Sequence, residues 1–254
     1  MSRKLRLVAR LDIKSQCLVK GIQYEGLRKL GNPHTFAKTY YDQGIDEILY
    51  LDTVASLYGR NNLQDILLKT TEDIFIPITV GGGLRSVEDV GAVLKAGGDK
   101  AAINTAALQN PRLLGEIAHA FGSQCVVLSV QAKRHQQGWE AYYDNGREHS
   151  GKDALEWIRQ AESLGVGEIL VTSVDQEGRQ KGMDKELIAA VRQATSLPMI
   201  AAGGVGQWED IASAAHLGAE AVAVGSILHY QKATVPSLKQ QLLSCGVEVR
   251  PWDI

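Results

Sequence analysis

Cysteine is scarce. Cys17, Cys125 and Cys245 are odd in number, far apart and without a Cys-x-x-Cys or Cys/His spacing. Neither a disulfide framework nor a zinc site is suggested, and the usage is that of free thiols in a reducing cytosol. Charge of one sign is lacking too. Lys and Arg number 27 against 29 Asp and Glu, a formal net charge of −2. Nothing there draws nucleic acid or an anionic membrane to the chain as a whole, although a local basic patch can still hold a phosphate. No apolar run approaches a membrane span, and the opening MSRKLRLVARLD is broken by charge before a signal-like apolar core develops. With six prolines and 44% hydrophobic residues in 254, the expectation is a compact cytoplasmic protein with a substantial core.

What is present is alternation. LVARLD, EILYLD, IPITVGGG, KAAINT, CVVLSVQ, EILVTSVD, PMIAAGG and AVAVGS are short apolar runs of strand composition. Amphipathic stretches such as DVGAVLKAGG, LLGEIAHAFG, DALEWIRQAESLG and DIASAAHLG lie between them, several ending at glycine. Strands buried on both faces and separated by helices predict a parallel sheet with right-handed crossovers. Eight of them in this length predict a single (βα)8 barrel. VGGGLRSVEDVGAVLKAGGDKAAINTA lies over AAGGVGQWEDIASAAHLGAEAVAVGSI without a gap, pairing Gly82 with Gly203 and Thr105 with Ser226, each 121 residues apart; Glu47 and Glu168 keep that spacing. The repeat favours a barrel of two half-barrels, roughly 1–122 and 123–254, over a doubly wound sheet, which does not require its halves to repeat at every strand.

In a barrel the working face is the C-terminal end of the strands. Gly81-Gly82-Gly83 and Gly203-Gly204 both open turns there, where a backbone without Cβ can approach an anion. Asn104-Thr105 and Gly225-Ser226 close neighbouring strands and add donors, so the paired clusters point to a ligand phosphorylated at both ends. Strand alternation puts Arg6, Val8, Arg10 and Asp12 on one side of their strand, and likewise Lys100, Ala102 and Asn104, and Glu168, Leu170 and Thr172, each on one side of theirs. Asp12, Asn104 and Thr172 then face inward at the top, and Arg6, Lys100 and Glu168 at the bottom. Glu47 joins the bottom set, but its parity with Asp52 calls for a bulge. The charged floor is either a salt-bridged plug or a gate. RHQQGWEAYYDNGREH, with Asn145-Gly146, predicts a hairpin on the top face, and His135 and His149 read as solvated loop residues.

These residues resemble the cyclase subunit family of imidazole glycerol phosphate synthase, a histidine-pathway enzyme. The likeness runs along the whole chain: LDIK with Asp12, VKG with Lys20, Leu27-Arg28, LDTVAS with Asp52, TVGGG, INTAA, FGSQ, AKR, GEIL, TSVDxxG, AAGGVG and GSILH. The resemblance implies a heterodimer with a glutaminase docked on the barrel floor, ammonia passing up the barrel, and no cofactor or metal. It assigns the gate to Arg6, Glu47, Lys100 and Glu168 and a glutaminase contact to Asp99. Its substrate, a ribulosyl-formimino derivative of aminoimidazole carboxamide ribotide, carries a phosphate at each end; the phosphate sites fall on Gly83, Asn104 and Thr105 and on Gly178, Gly204 and Ser226. Lys20, Asp52, Thr172 and Glu177 complete the substrate-binding set. The family divides its proton transfers between two aspartates, the first matched by Asp12 and the second by Gln131. An amide can neither take nor give a proton at useful pH, so the reaction falls to Asp12 or a new partner, while Gln131 is free to orient a hydroxyl, bridge a water or hold Asp12. Arg10 stands where the family keeps a small residue, and Glu177 where it commonly has aspartate. These departures admit a second reading, a catalytically impaired paralogue acting as ammonia conduit and scaffold for a sugar amidotransferase of surface-polysaccharide (lipopolysaccharide) biosynthesis. A related two-phosphate sugar isomerase ranks third, having no use for the floor residues.

Overall fold

The chain folds as an eight-stranded parallel barrel, seen in a computed structural model that describes residues 4–55 and 63–252. Ser56, the last residue of LDTVAS, lies outside the described residues. The staves are β1 (Arg6–Lys14), β4 (Glu47–Asp52), β5 (Ile78–Gly81), β6 (Lys100–Ile103), β7 (Val126–His135), β10 (Glu168–Ser173), β11 (Met199–Ala202) and β12 (Ala221–Val224). They follow one another in chain order, and the pairings β10–β7 and β1–β12 close the cylinder. Every predicted stave is found. Two further pairs sit on the top face: β2 (Cys17–Ile22) with β3 (Glu25–Gly31) after the first stave, and β8 (Gly138–Tyr143) with β9 (Glu148–Asp153) after the fifth.

Helices α1 (Pro33–Asp42), α2 (Leu63–Thr70), α3 (Val87–Lys95), α4 (Thr105–Gln109), α5 (Arg112–Phe121), α6 (Ala154–Ser163), α7 (Lys185–Ala194), α8 (Trp208–His216), α9 (Ser226–His229) and α10 (Val235–Ser244) lie among the staves and after the last. Their starts are chemically marked. Asn32 Oδ1 accepts from the His34 and Thr35 amides with Pro33 in the first turn, and Ser86, Asp153, Asp184 and Thr234 cap in the same way. Alternate residues of each stave divide two cores: Leu7, Ala9, Leu11, Ile48 and Tyr50 pack outward under the helices, whereas Val8, Leu49, Ala102, Val127, Leu170, Ile200 and Ala223 fill the interior.

The strand register places the repeat. Val8 pairs with Glu47, and Val127 with Glu168, so the first staves of the two copies match at a spacing of 119 residues while the second staves keep 121. At 119, Asp12 corresponds to Gln131 and Arg10 to Ser129. The bulge expected in β4 is absent: its six pairs with β1 run unbroken from Glu47 to Asp52. Glu47, Leu49 and Leu51 therefore share the inner side, and Asp52 instead turns at the stave's end to accept from the amides of Val54 and Ala55.

Candidate active site

The top of the barrel holds a buried cluster of two cations and two carboxylates. β1 supplies Arg10 and Asp12 on its inner side. It then turns back through Ser15 and Gln16, both at positive φ, so that β2 pairs with it and returns Lys20 to the neighbourhood of Asp12. Arg10 Nε donates to Asp12 Oδ1 at 2.9 Å, and its Nη1 to Glu177 Oε2 at 3.1 Å. Lys20 Nζ donates to Asp12 Oδ2 at 2.7 Å and also to Glu177 Oε1. Thr172 Oγ1 and the Tyr24 hydroxyl complete the guanidinium's surroundings at 3.5 and 3.3 Å. All four charged side chains are buried. Burial alone pushes the Asp12 carboxyl up, but the cations of Arg10 and Lys20 outweigh it and hold the carboxyl well below the ordinary carboxylate range. Asp12, to which the sequence reading left the proton transfers unless a new partner took them, is here an ionised partner of two cations.

Gln131 faces the same mouth from β7, but its Oε1 accepts from the Gly146 amide at 2.7 Å. Its amide therefore braces the predicted hairpin, not Asp12. That turn lies across the first-copy side of the mouth: Asn145 Nδ2 donates to the Thr53 carbonyl, the Asp144 amide donates to Thr105 Oγ1 at 3.3 Å, and Asn104 Nδ2 donates to the Tyr142 carbonyl at 3.1 Å. Burial within β8 does not alternate: Glu140 and Tyr142 are covered as well as Trp139 and Ala141. Glu140 is occupied by the Gly151 amide and approached by His149. His135 and His149 have mostly exposed rings, and no metal-binding cluster occurs among the described residues.

Two cavities open on the mouth. One, of about 70 Å³, is lined by Asp12, Asp52, Gly82, Gly83, Asn104, Thr105, Gln131 and Thr172; the other, of about 20 Å³, by Lys20, Glu177, Gly178, Gly203, Gly204 and Ser226. Among the described residues Arg10 alone lines both, so its guanidinium is the wall between them. The turns beneath require glycine. Gly204 has φ +99°, and a Cβ there would stand 2.0 Å from the Gly182 carbonyl oxygen. Buried acceptors and hydroxyls without hydrogen-bond partners among the described residues include Asn104 Oδ1 and Ser226 Oγ, one on each side. The second, smaller cavity leaves little more than water-sized room while Lys20 and Glu177 stay paired.

The opposite end is a closed ionic ring. Arg6 donates to Glu47 Oε1 at 2.5 Å and Glu168 Oε1 at 2.6 Å, while Lys100 Nζ donates to Glu168 Oε2 at 2.7 Å and stands 3.7 Å from Glu47 Oε2. The glutamates are buried and the cations partly exposed. Asp99 lies exposed on this face, its Oδ2 accepting from the Ile78 amide at 2.8 Å. Between ring and mouth runs the apolar interior already described.

Two contributors escaped sequence reasoning. Tyr24 comes from the unpredicted β2–β3 turn, where Gln23 and Tyr24 both have positive φ. His229, buried, donates from Nε2 to the Arg10 carbonyl at 3.0 Å and so accepts at Nδ1 from the Tyr40 hydroxyl at 2.8 Å. Burial lowers its pKa to about 4. GSILH contains this residue, but only barrel closure reveals that it anchors the backbone of Arg10.

A family model described as "Histidine biosynthesis protein" matches residues 6–234. The chain is 58% identical over 207 residues to the imidazole glycerol phosphate synthase subunit HisF of Legionella pneumophila, covering 81% of this chain and 98% of that protein. It is 44% identical over 257 residues to the protein of the same name from Mycobacteroides abscessus, covering 98% and 100%. A Corynebacterium diphtheriae protein of that name is 44% identical over 253 residues, covering 97% and 98%.

Proposed function

This chain belongs to the histidine biosynthesis family and, within it, to the HisF subunits of imidazole glycerol phosphate synthase, and on that premise we propose that it is the cyclase subunit of such an enzyme. It accepts ammonia from a glutaminase docked on the barrel floor around Asp99. It uses that ammonia on a bisphosphorylated ribulosyl-aminoimidazole carboxamide to form imidazole glycerol phosphate. The observation that carries the reading is the order of layers inside one barrel: ionic ring, apolar column, polar mouth with two glycine-floored cavities.

Each layer supports a step. Arg6, Glu47, Lys100 and Glu168 close the floor, and one cation swinging aside opens it. An apolar column bounded by Val8, Leu49, Val127 and Leu170 suits neutral ammonia and penalises ammonium, whose charge finds no partner there. At the top, Gly83, Asn104 and Thr105 hold one phosphate and Gly178, Gly204 and Ser226 the other, with Lys20, Asp52, Thr172 and Glu177 around the ligand's middle. Because Arg10 is the wall between the cavities, a ligand spanning both must displace its guanidinium or bind it.

A second reading, the impaired paralogue serving a sugar amidotransferase of surface-polysaccharide biosynthesis, draws on two observations. Asp12 is pinned by Arg10 and Lys20, and Gln131 is committed to Gly146. Steady-state assay of the purified protein with the ribulosyl substrate and ammonium salt separates the two. Turnover at ordinary enzyme rates supports the cyclase; none at saturating ammonium, together with ammonia transfer from a bound glutaminase, supports the conduit. A general acid or base contributes about 10²–10⁴-fold, so a rise of that order in Gln131→Asp identifies a missing carboxylate as the cause of a feeble rate.

A further inference from the structure

The carboxylates of the mouth are of two kinds. Asp12 and Glu177 each contact both Arg10 and Lys20. Asp52, at the end of β4, is buried and lines the same cavity as Asp12 and Gln131, yet forms no ion pair with a cation among the described residues. Its Oδ1 accepts from the amides of Val54 and Ala55 at 2.9 and 3.0 Å. Its Oδ2 is buried without a hydrogen-bond partner among the described residues.

A bare buried carboxylate oxygen is costly, whereas a carboxyl protonated at that oxygen is less so and gains a free O–H donor. Burial accordingly pushes the Asp52 carboxyl above the ordinary range, the two backbone amides only partly opposing it. The Gly82-Gly83 turn lines the same cavity, and an anion placed there would favour the neutral carboxyl further. The charged and titratable groups facing this cavity alongside Asp52 are Arg10, Asp12, Tyr24 and Arg85, with Lys14 and Arg147 lining the next one beyond Thr53.

We propose that Asp52 is the proton-carrying catalytic residue of this chain, doing the work that an amide at Gln131 cannot, while Asp12 stays ionised. The proposal rests on the cyclase reading. In the step assigned to it, the ammonia lone pair forms a C–N bond to the ligand's ketone carbon and the C=O π pair moves to oxygen. Asp52 gives its proton to that oxygen. The resulting carboxylate then removes a proton from the new C–NH3+ group, leaving a neutral carbinolamine and a carboxyl restored.

The bland role for Asp52 is a turn brace, and Asp52→Asn tells the two apart because it keeps an oxygen acceptor for Val54 and Ala55 but holds no transferable proton. The expected result is an unchanged melting temperature, with kcat lower by about 10²–10⁴-fold and the corresponding limb of the pH profile lost. Carbon-13 NMR of carboxyl-labelled aspartates reads the proton without turnover: one resonance titrates above the ordinary value of about 3.9 and is missing in Asp52→Asn. Wild-type kcat and pH profile in Asp52→Asn, or an Asp52 resonance titrating at or below the ordinary value, overturns the proposal. An inactive wild type whose Asp52 still titrates high overturns the cyclase reading and the catalytic role resting on it, a result distinct from either of those.

Discussion

Replacing Arg10 with methionine probes the ionic cluster at the mouth, because methionine keeps an unbranched apolar stem while removing the charge. In the wild type, Arg10 and Lys20 balance Asp12 and Glu177, and all four are buried. In Arg10→Met the two carboxylates share Lys20 alone, and one negative charge is left uncompensated. Removing one partner of a buried pair costs about 3–5 kcal/mol. Lys20 still reaches both carboxylates and a proton can neutralise one of them, so the expected loss is near the lower end, about 3 kcal/mol at pH 7.

The pH dependence gives the sign. Wild-type Asp12 is held below its unfolded value of about 3.9, so it contributes stability that is present above that pH and is lost as pH falls through the folded value. Without Arg10, burial faces only one opposing cation, and the folded pair binds a proton more tightly than the unfolded chain does. The variant's deficit is then fully present at neutral pH and shrinks on acidification. Urea unfolding of both proteins at pH 7 and pH 4.5 measures it, with the gap expected to close by about 1 kcal/mol or more. A deficit under about 1 kcal/mol at pH 7, or one equal at both pH values, refutes the view of Arg10 as the counter-charge that keeps Asp12 ionised.

His229 has a folded pKa of about 4 against about 6.5 unfolded, so protons bind the unfolded chain first and stability falls by about 2 kcal/mol between pH 7 and pH 5. His229→Gln removes that slope, read as urea midpoints across the range. Gly204→Ala forces a Cβ to 2.0 Å from the Gly182 carbonyl oxygen at a φ of +99°, and a loss of about 2 kcal/mol or more in thermal unfolding is expected. Lys100→Met leaves Glu47 and Glu168 to Arg6 alone. Because the floor cations are partly exposed, the loss is smaller than for Arg10, roughly 1–2 kcal/mol in the same measurement.

The eight staves were legible because strands covered on both faces write themselves as unbroken apolar runs, and the inward parity of Arg6, Arg10 and Asp12 followed from alternation alone. β3 was not legible, since most of its residues face solvent and it pairs only with β2, so no apolar pattern marks it. The expected bulge failed for a related reason: counting Asp52 on the same wall as Glu47 required it, whereas the unbroken register turns Asp52 into the corner where its second oxygen has no partner among the described residues. Parity placed Arg10 inward on the side of Asp12, where a buried guanidinium needs an anionic partner. It could not tell that Lys20 and Glu177, 157 residues apart, close the same circuit, because that contact exists only once β10 meets β7 and the barrel shuts. The amide at Gln131 was visible from the sequence, whereas the double pairing of Asp12 with Arg10 and Lys20 was not. Gln131 is committed to the Gly146 turn and Asp12 is held by two cations, so on the proposed reading the proton falls to Asp52, whose second oxygen has no partner among the described residues.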